Sequence, residues 1–346
     1  MTERRDRSLG SALARLRTDG QLRRGLGRVA WRALGQAAAG RAAVGAAEVR
    51  AAIATLSQSS EGRIDVLATR AVAYLAHVIQ HVVHQAGLGS TIFYDDDVLF
   101  DLGQPFVVLC PHVYPTLPGR YAAFQLEQSV SPRWFTPRTW DRLRRAERVL
   151  EYATANIPYL VEHGVDPSRI VHVPISTVPD YRGVLSEVFP HLAWPRQKTI
   201  DVMFYGDPHT PRRAAMLDQL RRRFTLRVVD KVFGPDLLRL LASARVVANI
   251  HYYEGALLET TRLSESLSLG VPVVSEVASD QDAHAELGDA IRFTPIGDAV
   301  AMGDAIAALL RDPRAETAQR AKVEHLVRTD TRFEDSLHAL LQTWPE

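Results

Sequence analysis

Three charged residues recur at helical spacing in the second half of the chain. Glu259, Arg262 and Glu265 stand at positions i, i+3 and i+6, and at about 100° per residue they spread over roughly 120° of one side of a helix. A carboxylate on such a face can bind a ribose diol, and an arginine can bind a diphosphate through its fork of N–H donors. A solvated, salt-bridged helix face is the other interpretation of the same pattern.

The segments around these charges predict a strand, a helix and a second strand. Ala244–Ile250 and Val271–Val274 are apolar and rich in valine, and Leu257–Leu269 has helical spacing that ends at a glycine. Such a unit forms a right-handed crossover in a parallel sheet, and ligands bind at the carboxyl ends of its strands. Because His251 and Glu254 follow the first of these strands, we expect both of them near the ligand.

Predicted strands and helices alternate over most of the chain, which indicates an α/β fold with parallel sheets. Residues 1–60 are rich in Ala, Gly and Arg and predict a helical extension outside that fold. Residues 61–190 and 191–314 predict two Rossmann-like domains, with the proline-containing segment Val178–Lys198 as an irregular linker. Residues 315–346 predict C-terminal helices. We expect the two domains to face each other across a cleft that holds the active site.

The composition is that of a soluble globular protein. Of the 346 residues, 46% are hydrophobic and 23% are charged, and the net charge of +1 gives no general reason to bind nucleic acid. No apolar run reaches the roughly 18–20 residues of a membrane span, and no segment has the pattern of a secretory signal. Cys110 is the single cysteine and therefore forms no intramolecular disulfide. We expect a cytoplasmic protein without a nucleic-acid partner.

The extension of residues 1–60 carries apolar side chains at helical spacing with arginines among them. This pattern is typical of a segment that lies on an anionic membrane surface or binds a partner protein. Membrane contact would make the protein peripheral at the inner membrane face. An extra helical layer over the first domain is the alternative interpretation.

Several segments together resemble bacterial GT-B glycosyltransferases. Glu265 stands five residues before the sequence Gly270-Val-Pro-Val-Val274, which is similar to the donor-sugar helix and following strand of glycosyltransferase families 1 and 4. Four further segments occur in the same order as in a bacterial subgroup of this fold: Gln125-Leu-Glu-Gln128, Val149-Leu-Glu-Tyr-Ala, Asn156-Ile-Pro-Tyr-Leu and Ile170-Val-His-Val-Pro174. The likeness covers about residues 60–310 in patches.

The resemblance implies a GT-B fold in which the second domain binds a nucleoside-diphosphate sugar. The first domain would then hold the acceptor, which is a glycan, a lipid-linked molecule or a small molecule. Glu265 matches the family position that binds the ribose. The predicted donor site comprises residues of the second domain: Gly206, Arg212, Arg213, His251, Glu254, Glu259, Arg262 and Glu265.

The stereochemical course stays open at the level of sequence. Many retaining GT-B enzymes place two glutamates eight residues apart, but Leu257 stands eight residues before Glu265. An inverting enzyme needs a general base on the first domain. Glu127 and His112 each follow a predicted strand of that domain. Glu127 is the first choice for the base and His112 the second.

A metal site is the alternative way to bind the diphosphate. Asp95-Asp96-Asp97 follows the predicted strand Thr91–Tyr94, as the metal-binding Asp-x-Asp pair does in GT-A glycosyltransferases. The second Rossmann-like half, which GT-A enzymes lack, argues against it, and aspartates are common in turns. Arginines and helix N-termini bind phosphates without a cation. We therefore expect no metal and no cofactor.

Two other functions fit the same sequence. A sugar-nucleotide epimerase of the same fold is the alternative enzyme. A scaffold that binds a nucleotide sugar or a partner protein without turnover is the non-catalytic alternative.

Overall fold

The structure is a computed structural model that describes residues 62–94 and 103–345. The predicted extension of residues 1–60 and the aspartates Asp95–Asp97 lie outside the described residues, so their predicted roles stay predictions. Within the described part of the chain, no helix combines the length and the apolar character that crossing a membrane requires.

The first sheet has six parallel strands. They are β1 (Asp65–Ala68), β2 (Ile92–Tyr94), β3 (Phe106–Leu109), β4 (Tyr121–Gln125), β5 (Arg148–Glu151) and β6 (Ile170–His172). Their order in the sheet is β2-β1-β3-β4-β5-β6. Strands β1, β3 and β4 are buried along their whole length, which agrees with their continuous apolar runs, since a parallel sheet is covered on both faces.

Four helices belong to the first half of the described chain: α1 (Ala73–Gln85), α2 (Pro137–Arg145), α3 (Ile157–Glu162) and α4 (Tyr181–Val188). Helix α4 lies within Val178–Lys198, so the prediction that this whole segment is irregular is wrong. The side chain of Asp180 accepts a hydrogen bond from the backbone N–H of Gly183 and caps the helix. Tyr181 and Leu185 are buried and anchor α4 to the domain.

The second sheet has five parallel strands in the order β11-β10-β9-β7-β8. The strands are β7 (Ile200–Tyr205), β8 (Leu226–Val229), β9 (Ala244–Asn249), β10 (Val273–Glu276) and β11 (Ile291–Thr294). The helices are α5 (Pro211–Arg221), α6 (Pro235–Ser243), α7 (Thr260–Ser268) and α8 (Ala299–Arg311). The strand order reverses between β1 and β3 in the first sheet and between β7 and β9 in the second. Sheets of this kind bind ligands at those points.

Two helices complete the chain, α9 (Pro313–Thr329) and α10 (Arg332–Thr343). Helix α10 returns to the first domain and packs against α1. Phe333 at its start is fully buried, with its ring 6.4 Å from that of Phe124 on β4. The C-terminal helices therefore connect the two sheets.

Hydrogen bonds between described residues join the two domains directly. The Tyr74 hydroxyl on α1 donates to the carbonyl of Ser176 at 2.7 Å and lies 3.2 Å from Oγ of Ser268 on α7. In addition, the side-chain amide of Gln128 pairs with the backbone of Leu257. Its Oε1 accepts the Leu257 N–H at 2.9 Å, and its Nε2 donates to the Leu257 carbonyl at 3.1 Å.

We expect Tyr74→Phe to destabilise the protein, because it removes the donor to the buried Ser176 carbonyl and one of the contacts of Ser268 Oγ. The expected loss is about 1–3 kcal/mol, measured as a fall in the thermal unfolding midpoint. Tyr253→Phe is the control, since the Tyr253 hydroxyl makes no hydrogen bond to the described residues. Equal midpoints for the two variants would show that the Tyr74 contact does not hold the domains together.

Candidate active site

A cavity of about 370 Å³ lies between the two domains, which is within the usual size range of ligand pockets. Its walls include the loops that follow β1 and β7, where the strand orders reverse, together with the start of α7. Residues of the first domain that line it include Arg70, Ala71, Val72, Leu126, Gln128 and Tyr152. Residues of the second domain that line it include Gly206, Lys231, Val232, Phe233, Leu237, Glu259, Thr260, Thr261, Arg262 and Glu265.

Glu265 presents a buried carboxylate to this cavity. It lies on α7, whose residues Leu263 and Leu267 are buried in the hydrophobic core. Among the described residues, its side chain has one hydrogen bond, at 3.3 Å from the Tyr205 hydroxyl. That hydroxyl lies closer, at 2.8 Å, to the carbonyl of Arg262. Burial raises the pKa of Glu265 to about 7. Most of its hydrogen-bonding capacity is therefore available to a ligand.

Glu259 is the centre of an ion cluster at the start of α7. Its Oε2 accepts from Nη1 of Arg262 at 2.7 Å, and its Oε1 accepts from Nη2 of Arg213 at 2.9 Å. His251 Nδ1 lies 3.7 Å from the same carboxylate. Burial alone would raise the pKa of Glu259, but Arg262, His251 and Arg213 together lower it to about 2. The carboxylate is therefore charged at neutral pH and holds both arginines in place.

The predicted helix Leu257–Leu269 begins later than expected, at Thr260. The backbone of Leu257 is bound by Gln128, and the Leu258 N–H donates to Oδ1 of Asp280 at 2.9 Å. Because these tertiary hydrogen bonds occupy the backbone, the two leucines lie in an irregular segment that leads into the helix.

Arg262 and the start of α7 form a corner suited to an anion. Gly206 has φ +128°, and a Cβ there would lie 2.9 Å from Nη2 of Arg262, so glycine permits the close approach. Nη2 and Nε of Arg262 make no hydrogen bond to the described residues. The hydroxyl of Thr260 is buried and also lacks a partner within the described chain. Free N–H groups and the positive end of the helix dipole favour a negative ligand here.

Arg212 and Arg213 have protein partners and do not line the cavity. The Arg213 guanidinium is 2% exposed and donates to the carbonyls of Ile250 and Asp207 at 2.9 and 3.0 Å. Burial, followed by the charge of Arg262, lowers its pKa to about 10. Arg212 donates to the carbonyl of His251 at 2.8 Å and pairs with the buried Glu276. Both arginines brace the loops around the cavity, and their direct contact with a donor stays a prediction.

His251 and Glu254 also lie outside the cavity wall. His251 is buried, its backbone N–H donates to Glu276 at 2.8 Å, and its Nε2 lies 3.2 Å from the carbonyl of Val277. Glu254 is exposed on the turn after β9. The cavity thus brings together Gly206, Glu259, Arg262 and Glu265 of the predicted donor site, whereas the other four residues stand behind or beside it.

The two predicted catalytic residues are in contact with each other. His112 follows β3 and Glu127 follows β4, and these strands are neighbours in the sheet. His112 Nε2 lies 3.2 Å from Glu127 Oε1. The Glu127 side chain is 23% exposed and that of His112 only 7%, with the histidine ring 5.4 Å from Trp134. Leu126 and Gln128, on either side of Glu127, line the cavity, so the pair lies beside it.

Two exposed cations of the cavity wall were not among the predicted site residues. Arg70 follows β1, and its guanidinium lies 5.3 Å from the ring centre of Tyr94. Lys231 follows β8 on the opposite wall. Neither has an acidic partner among the described residues. Their positions directly after strands were the available signal in the sequence. Within the described residues, no group of three or more His, Cys, Asp or Glu side chains could hold a metal ion.

Comparison with solved structures identifies the fold. An α-glucosyltransferase in complex with UDP and a 13-mer DNA containing a HMU base is 11% identical, with a TM-score of 0.57 over 82% of this chain and 98% of that chain. HepE (Alr3699) from Anabaena in complex with UDP and glucose is 13% identical, with a TM-score of 0.51 over 82% and 99%. No family model and no curated protein matches the chain. The chain has the predicted GT-B fold.

The raised pKa of Glu265 gives a test of the predicted donor site, because the affinity for a nucleotide bound by this carboxylate would depend on pH. Because diol hydroxyls donate to a carboxylate, binding favours the charged form, which is depleted below a pKa of about 7. We expect UDP, used as the test ligand, to bind about tenfold more weakly at pH 6 than at pH 8 through this group. Calorimetry of wild type and Glu265→Gln separates the effect of Glu265 from the titration of UDP itself. The same pH slope in both proteins would remove Glu265 from the nucleotide site.

Proposed function

We propose that this protein is a glycosyltransferase that moves a sugar from a nucleoside diphosphate to an acceptor hydroxyl. The observation that carries the proposal is the interdomain cavity. There, the buried carboxylate of Glu265 and the free donors of Arg262 stand side by side. A nucleoside diphosphate offers a diol to such a carboxylate and two phosphates to such an arginine. The GT-B fold, and the UDP bound in the similar structures named above, support this assignment.

In the proposed donor complex, Glu265 accepts hydrogen bonds from the ribose hydroxyls. The nucleobase lies against an apolar wall formed by Val232, Phe233 and Leu237. The diphosphate binds at the start of α7, where Arg262 and the uncapped helix end donate to its oxygens. These donors stabilise the charge that grows on the leaving diphosphate as the glycosidic bond breaks. Arg70 and Lys231 add positive charge from the two walls.

On the first domain, Glu127 is the proposed general base. It accepts the proton of the acceptor hydroxyl, whose oxygen attacks the anomeric carbon while the bond to the diphosphate breaks. Glu127 is the more exposed member of the pair, and His112 lies behind it, where it orients the carboxylate. Leu257 supports inversion of configuration, because its side chain is buried and supplies no carboxylate at the position that many retaining enzymes use.

We propose a glycan, a lipid-linked molecule or a small molecule as acceptor, and no nucleic-acid partner. An α-glucosyltransferase of the same fold was solved with DNA, but the net charge of +1 gives this chain no strong electrostatic attraction for nucleic acid. Slow hydrolysis of the donor without acceptor would exclude a non-catalytic scaffold. Release of free nucleoside diphosphate together with an epimerised sugar would indicate an epimerase instead.

Glu127→Gln keeps the shape of the side chain and removes the base. We expect turnover to fall by roughly 10²–10⁴ while donor affinity stays unchanged, since the donor residues are on the second domain. His112→Gln should reduce turnover less, because that ring acts through Glu127. Initial rates and UDP calorimetry on the same preparations provide the two readouts. Near-normal turnover in Glu127→Gln would exclude it as the base.

The proposed reaction needs no metal ion, because Arg262 and the N-terminus of α7 neutralise the diphosphate. We therefore expect activity to survive excess EDTA. Complete loss of activity, restored by Mn²⁺ and abolished by Asp95→Asn or Asp97→Asn, would instead support the Asp-x-Asp interpretation.

A further inference from the structure

A fully buried carboxylate lies behind the turn that carries Glu127. Glu151, the last residue of β5, is 0% exposed. Its Oε1 accepts hydrogen bonds from the Ala153 N–H and from Nδ2 of Asn156, both at 2.9 Å. Its Oε2 accepts from Nε2 of Gln125 at 3.0 Å. All three neighbours are donors, so both carboxyl oxygens accept hydrogen bonds.

The two amides that bind Glu151 also hold the backbone of the turn. Gln125 donates to the Glu127 carbonyl and accepts its N–H, both at 2.6 Å. Asn156 donates to the same carbonyl at 3.1 Å and accepts the Ser129 N–H at 2.9 Å. Each NH₂ group thus gives one hydrogen to Glu151 and one to the turn, which uses its full donor capacity.

The carboxylate decides which way the two amides face. A side-chain amide presents either its oxygen or its NH₂ group to a given neighbour, and the hydrogen-bond network selects between the two. Both carboxyl oxygens of Glu151 accept in this network, which places the NH₂ groups of Gln125 and Asn156 on its side. The amide oxygens are then directed at the N–H groups of Glu127 and Ser129.

We propose that Glu151 is a positioning residue that sets the turn of residues 126–129 through the amides of Gln125 and Asn156. The turn carries Glu127, the base of the proposed function on which this inference rests, and Gln128, which binds Leu257 of the other domain. Glu151 therefore supports both Glu127, the proposed general base, and the contact between Gln128 and Leu257 across the cleft.

The free-energy cost of burying Glu151 fits a functional role better than a stabilising one. Burial opposes the charge and raises the pKa of Glu151 to about 8. Burying a carboxylate that binds only neutral amides and a backbone N–H therefore disfavours folding. Such perturbed groups are concentrated at functional sites.

Glu151→Gln tests the assignment, because the new NH₂ group faces a donor and forces at least one amide to turn. We expect turnover to fall about tenfold or more while UDP affinity changes less than twofold. Glu147→Gln is the matched control, since Glu147 precedes β5, pairs with Arg120 and lies outside this network. The double variant Glu127→Gln with Glu151→Gln should lose less turnover than the product of the two single losses, because part of the effect of Glu151 acts through Glu127. A loss of turnover in the double variant that equals the product of the two single losses would overturn the proposal.

Hydrogen exchange at the backbone amides of Glu127 and Ser129 gives a readout that does not require sugar transfer. We expect exchange about tenfold faster or more in Glu151→Gln and unchanged in Glu147→Gln. Unchanged protection would overturn the positioning role even if the protein is a glycosyltransferase. Faster exchange in a protein that transfers no sugar would instead uphold the positioning and reject the proposed function. If Glu151→Gln does not fold, Asn156→Ala removes one amide alone and should accelerate exchange at Ser129.

Discussion

The ion cluster around Glu259 is the interaction on which the donor side of the cleft depends. One carboxylate binds Arg213 and Arg262, and Arg213 in turn binds the backbone at both Asp207 and Ile250. The loop after β7, the end of β9 and the start of α7 are thereby fixed to one another. Loss of one member would leave a buried charge without its partner, which strongly destabilises a folded protein.

On the first domain, hydrogen bonds from neutral groups, rather than an ion cluster, hold the turn beside the cleft. There the buried Glu151 is surrounded by neutral amides, and no arginine takes part among the described residues. Amides fix direction through their two distinct ends, whereas the arginines of the donor side supply charge as well as direction. This difference suits the proposed chemistry. The donor side has to attract a diphosphate, and the acceptor side has to leave a carboxylate free to take a proton.

The sequence predicted the elements of the second domain well, because the apolar strands and the Gly-x-Pro-Val-Val pattern are local signals. It also predicted that Glu259, Arg262 and Glu265 share a helix side, but not their separate roles. Both interpretations of that pattern hold in part, since the charges pair with each other and yet face a cavity. The acidic partners of Arg212 and Arg213 lie 64 and 46 positions further along the chain. A helical wheel therefore carries no information about them.

On the first domain, the segments behind the family resemblance gain a physical explanation. Gln125, Glu151 and Asn156 come from three of these segments, and the structure joins them in one network. The sequence placed Glu127 and His112 each after a strand, but their contact depends on β3 and β4 being neighbours. Helix α4 was missed because the prolines of Val178–Lys198 suggested an irregular chain. The cap at Asp180 and the buried side chains of the helix outweigh that signal.

The proposed chemistry is divided between the domains, so its geometry is set where they touch. The leaving group is held by α7 and the base by the turn after β4. No single element carries both. Gln128 binds Leu257, three residues before α7 begins, and is itself the residue after Glu127. This pair of hydrogen bonds therefore connects the loop that carries the general base to the segment that leads into the donor site. Because a displacement of about 1 Å can reduce a rate by about 10², the amide of Gln128 bears on turnover without touching a reacting atom.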